Sequence, residues 1–198
     1  MTRILAINGS YRDDGITDQA VDTIAQAAQT YGAIVEIILL RDFPIEFCQN
    51  CRECTQKPGD SPGLCVQHDG MYNLINKIEL ANAYILAAPT NLSSVTAIFK
   101  RFMERLTVYA YWPWDMNAPQ FRKANAPRKK ALLVSSCAAP GLLGRWIYSS
   151  GRQLRMTAKV IGADTVGVLF TGQVAKQQQP HLPDKTRLKA ISLAAKLV

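Results

Sequence analysis

Between positions 8 and 18 the chain reads NGSYRDDGITD, which sets two hydroxyls (Ser10, Thr17), a cation (Arg12) and two glycines (Gly9, Gly15) between the apolar run Ile4-Leu5-Ala6-Ile7 and an alanine-rich helical pattern. Glycine permits a tight turn, and a helix starting near Thr17 aims its unpaired N–H groups and positive dipole end into that turn, which is the chemistry of an anion site. Two familiar phosphate loops can be tested against it. The Walker pattern fails, because the glycine spacing is one residue too long and Ile16 stands where its lysine belongs. The dinucleotide pattern fails as well, since only Gly9 and Gly15 are present and the second strand ends at Leu40-Arg41 rather than with an acid for a ribose hydroxyl. A lone monophosphate fits best. The plainer alternative is a strand-to-helix turn whose Ser, Asp and Gly satisfy local hydrogen bonds.

The second constellation is thiol chemistry. Cys48, Cys51 and Cys54 recur at intervals of three, a spacing that can wrap three corners of an iron–sulfur cubane, and Cys65 can be the fourth ligand. Three readings stay open: a [4Fe-4S] cluster, zinc held by the same four thiolates, or free thiols. The two histidines, His68 and His181, lie outside the loops NGSYRDDGIT, APTNLSS and SSCAAPG and read as surface or capping residues.

The elements that must position these residues follow from hydrophobic periodicity. Ala20, Val21, Ile24, Ala25, Ala27 and Ala28 have helical spacing, and Ala33 to Leu40 reads as a buried strand. The stretch 41–69, rich in Cys, Pro and Gly, is a long loop insertion of the kind that is functional when it occurs inside a compact domain. Asp69 caps a helix through Met71, Leu74, Ile75, Ile78 and Leu80, and a strand from Ala83 to Ala88 stops at Pro89. Helical spacing resumes from Val95 through Leu106 and ends in the aromatic run Tyr109, Tyr111, Trp112, Trp114. Lys130–Ser136 is a fourth strand, 143–161 a long helix, Asp164–Phe170 a fifth strand, and 185–197 a last helix. Five alternating strands imply a doubly wound parallel sheet with helices on both faces, whose ligands bind beyond the carboxyl ends of the strands. Three loops should meet there: NGSYRDDGIT, APTNLSS and SSCAAPG.

Composition narrows the class. The 198 residues, 48% of them apolar, suit one domain spanning 1–198. No apolar run approaches a bilayer span and the start MTRILAI turns polar at once, so a cytoplasmic protein without a membrane span is expected. The net charge of +8 includes a local cluster at Arg122, Lys123, Arg128, Lys129 and Lys130. It is read as a solvated basic surface that draws phosphate-bearing small molecules rather than nucleic acid, because no recognition helix or RNA-binding aromatic motif accompanies it.

The ordered set of loops resembles the flavodoxin-fold, NADPH-dependent FMN reductases. GSYRDDGIT is similar to that family's GS-x-R-x-x-G-x-T loop, and PTNLSSVTAIFKRFMER to its P-x-Y…K-x-F-x-D-R stretch. The cysteine triplet with a later Cys, ahead of an acid and Met71, resembles the iron–sulfur flavoprotein branch. The departures are Ile16 for the usual Asn, Asn91 near a usual aromatic, and Glu104 for Asp. The resemblance implies a sheet of order 2-1-3-4-5 and bound FMN. Ser10, Arg12 and Thr17, with the backbone at Gly15 and Ile16, would hold its phosphate. Pro89, Thr90, Asn91, Leu92, Ser93 and Ser94 would line the ribityl chain and ring, and Ser136 and Cys137 would form a third wall. NADH or NADPH would donate hydride, and a quinone, a flavin or an iron–sulfur centre would accept electrons, with no protein nucleophile or base required. The aromatic run is expected at the acceptor site, reaching across a homodimer or homotetramer interface. Two rivals are a non-enzymatic flavodoxin-like electron carrier, against which the positive charge speaks, and a metal or thiol sensor built on the cysteine loop.

Overall fold

A computed structural model of the chain describes residues 1–140, 144, 146–173 and 178–198. Strand β1 (Arg3–Asn8) runs through a turn into helix α1 (Ile16–Thr30), and β2 (Ile34–Leu39) follows. Beyond the cysteine loop come α2 (Gly70–Leu80), β3 (Ala83–Ala87), a two-strand hairpin of β4 (Thr90–Asn91) and β5 (Ser94–Val95), and α3 (Ala97–Arg105). A second small hairpin, β6 (Ala110–Tyr111) with β7 (Gln120–Phe121), precedes β8 (Lys129–Ser136), α4 (Ser150–Val160), β9 (Ala163–Thr171) and α5 (Asp184–Ala194).

The main sheet has the order β2-β1-β3-β8-β9, all parallel, which is the expected doubly wound topology with β8 and β9 as the fourth and fifth strands. Alternation along β1 shows why both faces are covered. Ile4 and Ala6 pack with Ile24, Ala28 and Leu193 of α1 and α5, while Leu5 and Ile7 pack with Leu74, Phe99, Phe102 and Leu154 of α2, α3 and α4. Each fully buried side chain of this size contributes about 1.5–3 kcal/mol relative to exposure, so the central strands are the stable frame. The register pairs Asn8 with Ala87 and Ala87 with Val134, which brings the ends of β1, β3 and β8 to one edge at the point where strand order reverses.

Three expectations are corrected. The second strand is a sheet edge with alternating exposure rather than a buried strand, because nothing pairs beyond β2 among the described residues. Val95 lies in β5, not in the helix, which Thr96 caps by accepting from the Phe99 N–H. The helix expected over 143–161 is described as α4 from Ser150, and residue 143 lies outside the described residues. No described helix is long and apolar enough to cross a membrane.

Candidate functional site

The first loop is fixed from within and from below. Buried Asn8 donates to Asp18 Oδ1 at 2.6 Å and accepts from the Ser10 N–H at 2.9 Å, and Ser10 Oγ bridges the Arg12 backbone. Arg41, at the end of β2, donates to the Ser10 carbonyl, to Asp18 at 2.9 Å and to Asp13 at 2.8 Å. Helix α1 begins at Ile16 with Gly15 as an N-cap that has no side chain to satisfy the first-turn N–H groups, so these donors are left for an anion. A Cβ on Gly9 would lie 2.7 Å from Phe99 Cβ, so only glycine lets the loop cross α3 here.

The three loops are joined into one rim by hydroxyls. Thr17 Oγ1 and Ser136 Oγ lie 2.9 Å apart, linking the first loop to the third. Thr96 Oγ1 donates to the Gly9 carbonyl at 2.6 Å, linking the second to the first. Thr90 Oγ1 meets Ser150 Oγ at 2.8 Å, and Ser135 completes that trio, linking the second to the third. Of the expected residues, Ser10, Gly15, Ile16, Thr17, Ser136 and Cys137 are buried at this rim, with Pro89 and Thr90 half-buried beside it. Burial raises the Cys137 thiol above its ordinary pKa, and its Sγ faces the Ala139 carbonyl.

Asn91, Leu92 and Ser93 stand further out on the β4–β5 hairpin. Leu92 and Ser93 form its two-residue turn with φ of 45° and 65°, a region that favours glycine. The Ser93 carbonyl accepts from Ser149, and Ser94 donates to Gln153, so α4 holds the strained turn in place. Leu92 is 96% exposed. The Arg12 guanidinium donates to the Gln178 carbonyl, in the segment after β9. Thr96, Ser135, Ser150, Gln153 and Arg41 were missed by sequence reasoning; only Thr96, three residues before Phe99 at a helix start, carried a local signal.

The cysteine loop is a second structured region. Arg105 is 2% exposed and grips Asp69 with both terminal nitrogens, at 2.5 and 3.0 Å, while also donating to the Glu46 carbonyl. Asp69 caps α2 through the Met71 N–H as expected and accepts from the Glu46 N–H. Burial acts to raise Asp69, but the guanidinium and the two N–H groups outweigh it and hold its carboxyl below the usual range. Arg122, expected at a solvated surface, is instead buried and donates to the carbonyls of Val108, Gly59, Lys57 and Cys54. A Cβ on Gly63 would overlap the Cys54 carbonyl, so this packing also demands glycine. The aromatic run covers the loop from outside. Arg52 Cζ lies 3.8 Å from the Trp112 ring centre and 4.5 Å from that of Trp114, while Tyr109 is buried against Glu79.

None of the five cysteines, all of them among the described residues, is in a disulfide. Burial, followed by the neighbouring Cys65, Cys48 and Cys51, pushes the Cys54 thiol up to about 11, so the four are gathered in one neighbourhood. Among the described residues no group of three or more His, Cys, Asp or Glu is arranged around a metal position. A cavity of about 510 Å³ opens beside Cys65, bounded by Leu64, Met71, Tyr72 and Ile75.

Against known proteins, residues 2–168 match the family model described as NADPH-dependent FMN reductase. The chain belongs to the NADPH-dependent FMN reductase family. An iron–sulfur flavoprotein of Archaeoglobus fulgidus is 33% identical over 103 residues, covering 52% of this chain and 48% of that protein. A second match, named as an iron–sulfur flavoprotein of Methanocaldococcus jannaschii, is 28% identical over 103 residues, 52% of this chain and 51% of the relative. The chain thus spans about half the length of the curated relatives it matches. In fold, this FMN reductase family member is similar to an FMN-dependent NADH-azoreductase from Bacillus anthracis, solved in complex with FMN. The TM-score is 0.69 at 12% identity, covering 100% of this chain and 99% of that one. A Methanothermobacter marburgensis NAD(P)H:quinone oxidoreductase gives a TM-score of 0.64 at 16% identity over 98% and 96%.

Proposed function

We propose that this chain is an FMN-dependent oxidoreductase that oxidises NADH or NADPH and passes electrons to a small-molecule acceptor, a quinone or a flavin, or to an iron–sulfur centre on its own loop. The observation that carries the reading is the hydroxyl-stitched rim at the carboxyl end of the sheet, in a chain of the FMN reductase family. The residues present fit the cofactor: an uncapped first turn of α1, Ser10 and Arg12 suit a phosphate monoester, and Pro89 to Ser94 with Ser136 and Cys137 suit a ring and its polyol chain. FMN supplies hydride acceptance and electron transfer when bound. The chain's own residues bind, orient and shield: Thr17 and Ser136 set the distance between walls, and Arg41 locks the first loop so that its N–H groups are preorganised.

In the same reading the protein acts as one FMN-binding domain with residues 41–69 as an insertion, and assembles as a homodimer or homotetramer. Leu92, at the hairpin tip, and Trp146 and Ile147, close ahead of Ser149, are exposed beside the rim and suit burial by another subunit. Cys48, Cys51, Cys54 and Cys65 are of the donor type that a [4Fe-4S] cluster takes, a centre that would supply one-electron transfer when bound, although they are not arranged around one metal position here. The cavity beside Cys65 is of a size that takes a ring-bearing molecule. Anaerobic mixing of the FMN-loaded protein with NADPH or NADH tests the reading. It expects loss of flavin absorbance and its recovery on adding a quinone or free flavin. Failure to bind FMN would favour the sensor, and bound FMN that neither nicotinamide reduces would favour the carrier.

A further inference from the structure

Beyond β9 the chain returns to the first loop. The Gln173 N–H donates to the Ala139 carbonyl of the third loop at 3.0 Å, and residues 178–182 lie against the first loop and the start of α1. One side chain of that helix, Gln19, staples them there. Its Nε2 donates to the Pro180 carbonyl at 3.1 Å, and its Oε1 accepts from the Leu182 N–H at 2.7 Å. The same Nε2 donates at 2.8 Å to the carbonyl of Asp14, a loop residue held at φ 49°. Leu182 anchors the segment in the core: it is 2% exposed, in one apolar cluster with Ile16, Ala20 and Leu193.

What the staple positions is Arg12. A Cβ on Gly15 would lie 3.1 Å from Arg12 Cβ and 3.2 Å from its Cδ, so the arginine stem lies across the N-cap of α1, beside first-turn N–H groups that no side chain satisfies. Among the described residues the Arg12 side chain makes one hydrogen bond, from Nη2 to the Gln178 carbonyl, which leaves Nε and Nη1 for an anion. The Gln178 carbonyl thus occupies one edge of the guanidinium. A terminal phosphate monoester needs only the remaining donors. A flavin diphosphate also needs room for its second phosphate, and that group would meet the partial negative charge of the Gln178 oxygen and the exposed carboxylates of Asp13 and Asp14.

We propose that residues 178–182, stapled by Gln19, form a wall that makes the phosphate site specific for a terminal monophosphate: the Gln178 carbonyl holds Arg12 for one phosphate and blocks the exit that a flavin diphosphate requires. Gln19 is the positioning residue, acting on the loop through Asp14 and on the wall through Pro180 and Leu182. This rests on the reading of the first loop as the FMN phosphate site given above.

The test titrates riboflavin, FMN and FAD by calorimetry into the cofactor-free chain as wild type, Gln19→Met and Leu182→Ala, with circular dichroism to confirm folding. The three flavins share one ring and ribityl chain and differ at the phosphate end, so ratios of Kd isolate that end and riboflavin reports general damage. Wild type is expected to bind FMN at least about tenfold more tightly than either riboflavin or FAD. Methionine keeps the length and helix propensity of glutamine without its amide. Gln19→Met should therefore keep the riboflavin Kd within about twofold of wild type while the preference for FMN over FAD falls at least about fivefold. Leu182→Ala, which loosens the wall but leaves Gln19 in place, should move that preference in the same direction. A wild type that binds riboflavin as tightly as FMN overturns the phosphate reading of the loop and this inference with it. A wild type that prefers FMN to riboflavin but takes FAD equally well overturns the inference alone. So does an unchanged preference for FMN over FAD in both folded variants, or weakening of all three flavins by one common factor, since the staple would then be structural only.

Discussion

Replacing Asp69 with Asn perturbs the joint that ties the cysteine loop to α2 and α3. The Asp69→Asn amide keeps one oxygen, which can still accept from the Met71 N–H and preserve the helix cap. It turns an NH2 toward the Glu46 N–H and Arg105 Nη1, and so removes the charge opposite Arg105, one of two acceptors for its fork and the acceptor for Glu46. The Arg105 side chain is 1% exposed and that of Asp69 10%, so solvent cannot take over the lost partner. Removing one member of a buried pair typically costs about 3–5 kcal/mol, and with the cap retained we expect the lower end, about 3 kcal/mol. For a chain of this size that lowers Tm by roughly 6–12 °C. Because the folded-state carboxyl is held below its ordinary pKa, its contribution is complete above the ordinary value and is lost as pH falls through the lowered one. The stability gap between wild type and Asp69→Asn should therefore be constant from neutrality down to the ordinary carboxylate range and shrink only below it. Urea unfolding followed by circular dichroism at several pH values measures this. A gap under about 1 kcal/mol at pH 7, or one that closes well above the carboxylate range, would refute the reasoning, since it would mean that Arg105 finds another partner at no cost.

Two further substitutions follow from backbone geometry. Gly9→Ala should destabilise by about 1–3 kcal/mol and weaken FMN binding, because its Cβ meets the Phe99 side chain; thermal melts and FMN titration unchanged from wild type would contradict this. Ser93→Gly should stabilise by about 1 kcal/mol by relieving a positive φ, visible as a raised Tm, whereas a lowered Tm would show that Ser93 contributes more than backbone shape.

Much of the frame was legible because long elements carry periodicity. The alternation of helix and strand, the Asp69 cap and the convergence of three loops all follow from local pattern. What escaped is non-local or too short. Two-residue strands carry no period, so Val95 reads as part of the helix that follows it. Edge position depends on which strands pair, so the β-branched run 34–39 reads as buried although β2 has one neighbour. The burial of Arg122 requires carbonyls from positions 54, 57, 59 and 108, and nothing adjacent in the chain distinguishes it from solvated Lys and Arg nearby. The rim's stitching has the same character. Ser, Thr and Gly near a turn are ordinary residues until tertiary structure sets Thr17 against Ser136 and Thr96 against Gly9.

The central claim, that the 9–17 loop holds the phosphate of FMN, is tested most directly by titrating FMN into the cofactor-free protein and into the Ser10→Ala/Arg12→Ala double variant, following flavin fluorescence. Hydrogen bonds to a charged group contribute about 1.5–3 kcal/mol each, so the double variant should lose at least about 2 kcal/mol, close to thirtyfold in Kd, with its circular dichroism spectrum unchanged. An FMN Kd equal to that of wild type in a folded double variant would contradict the account.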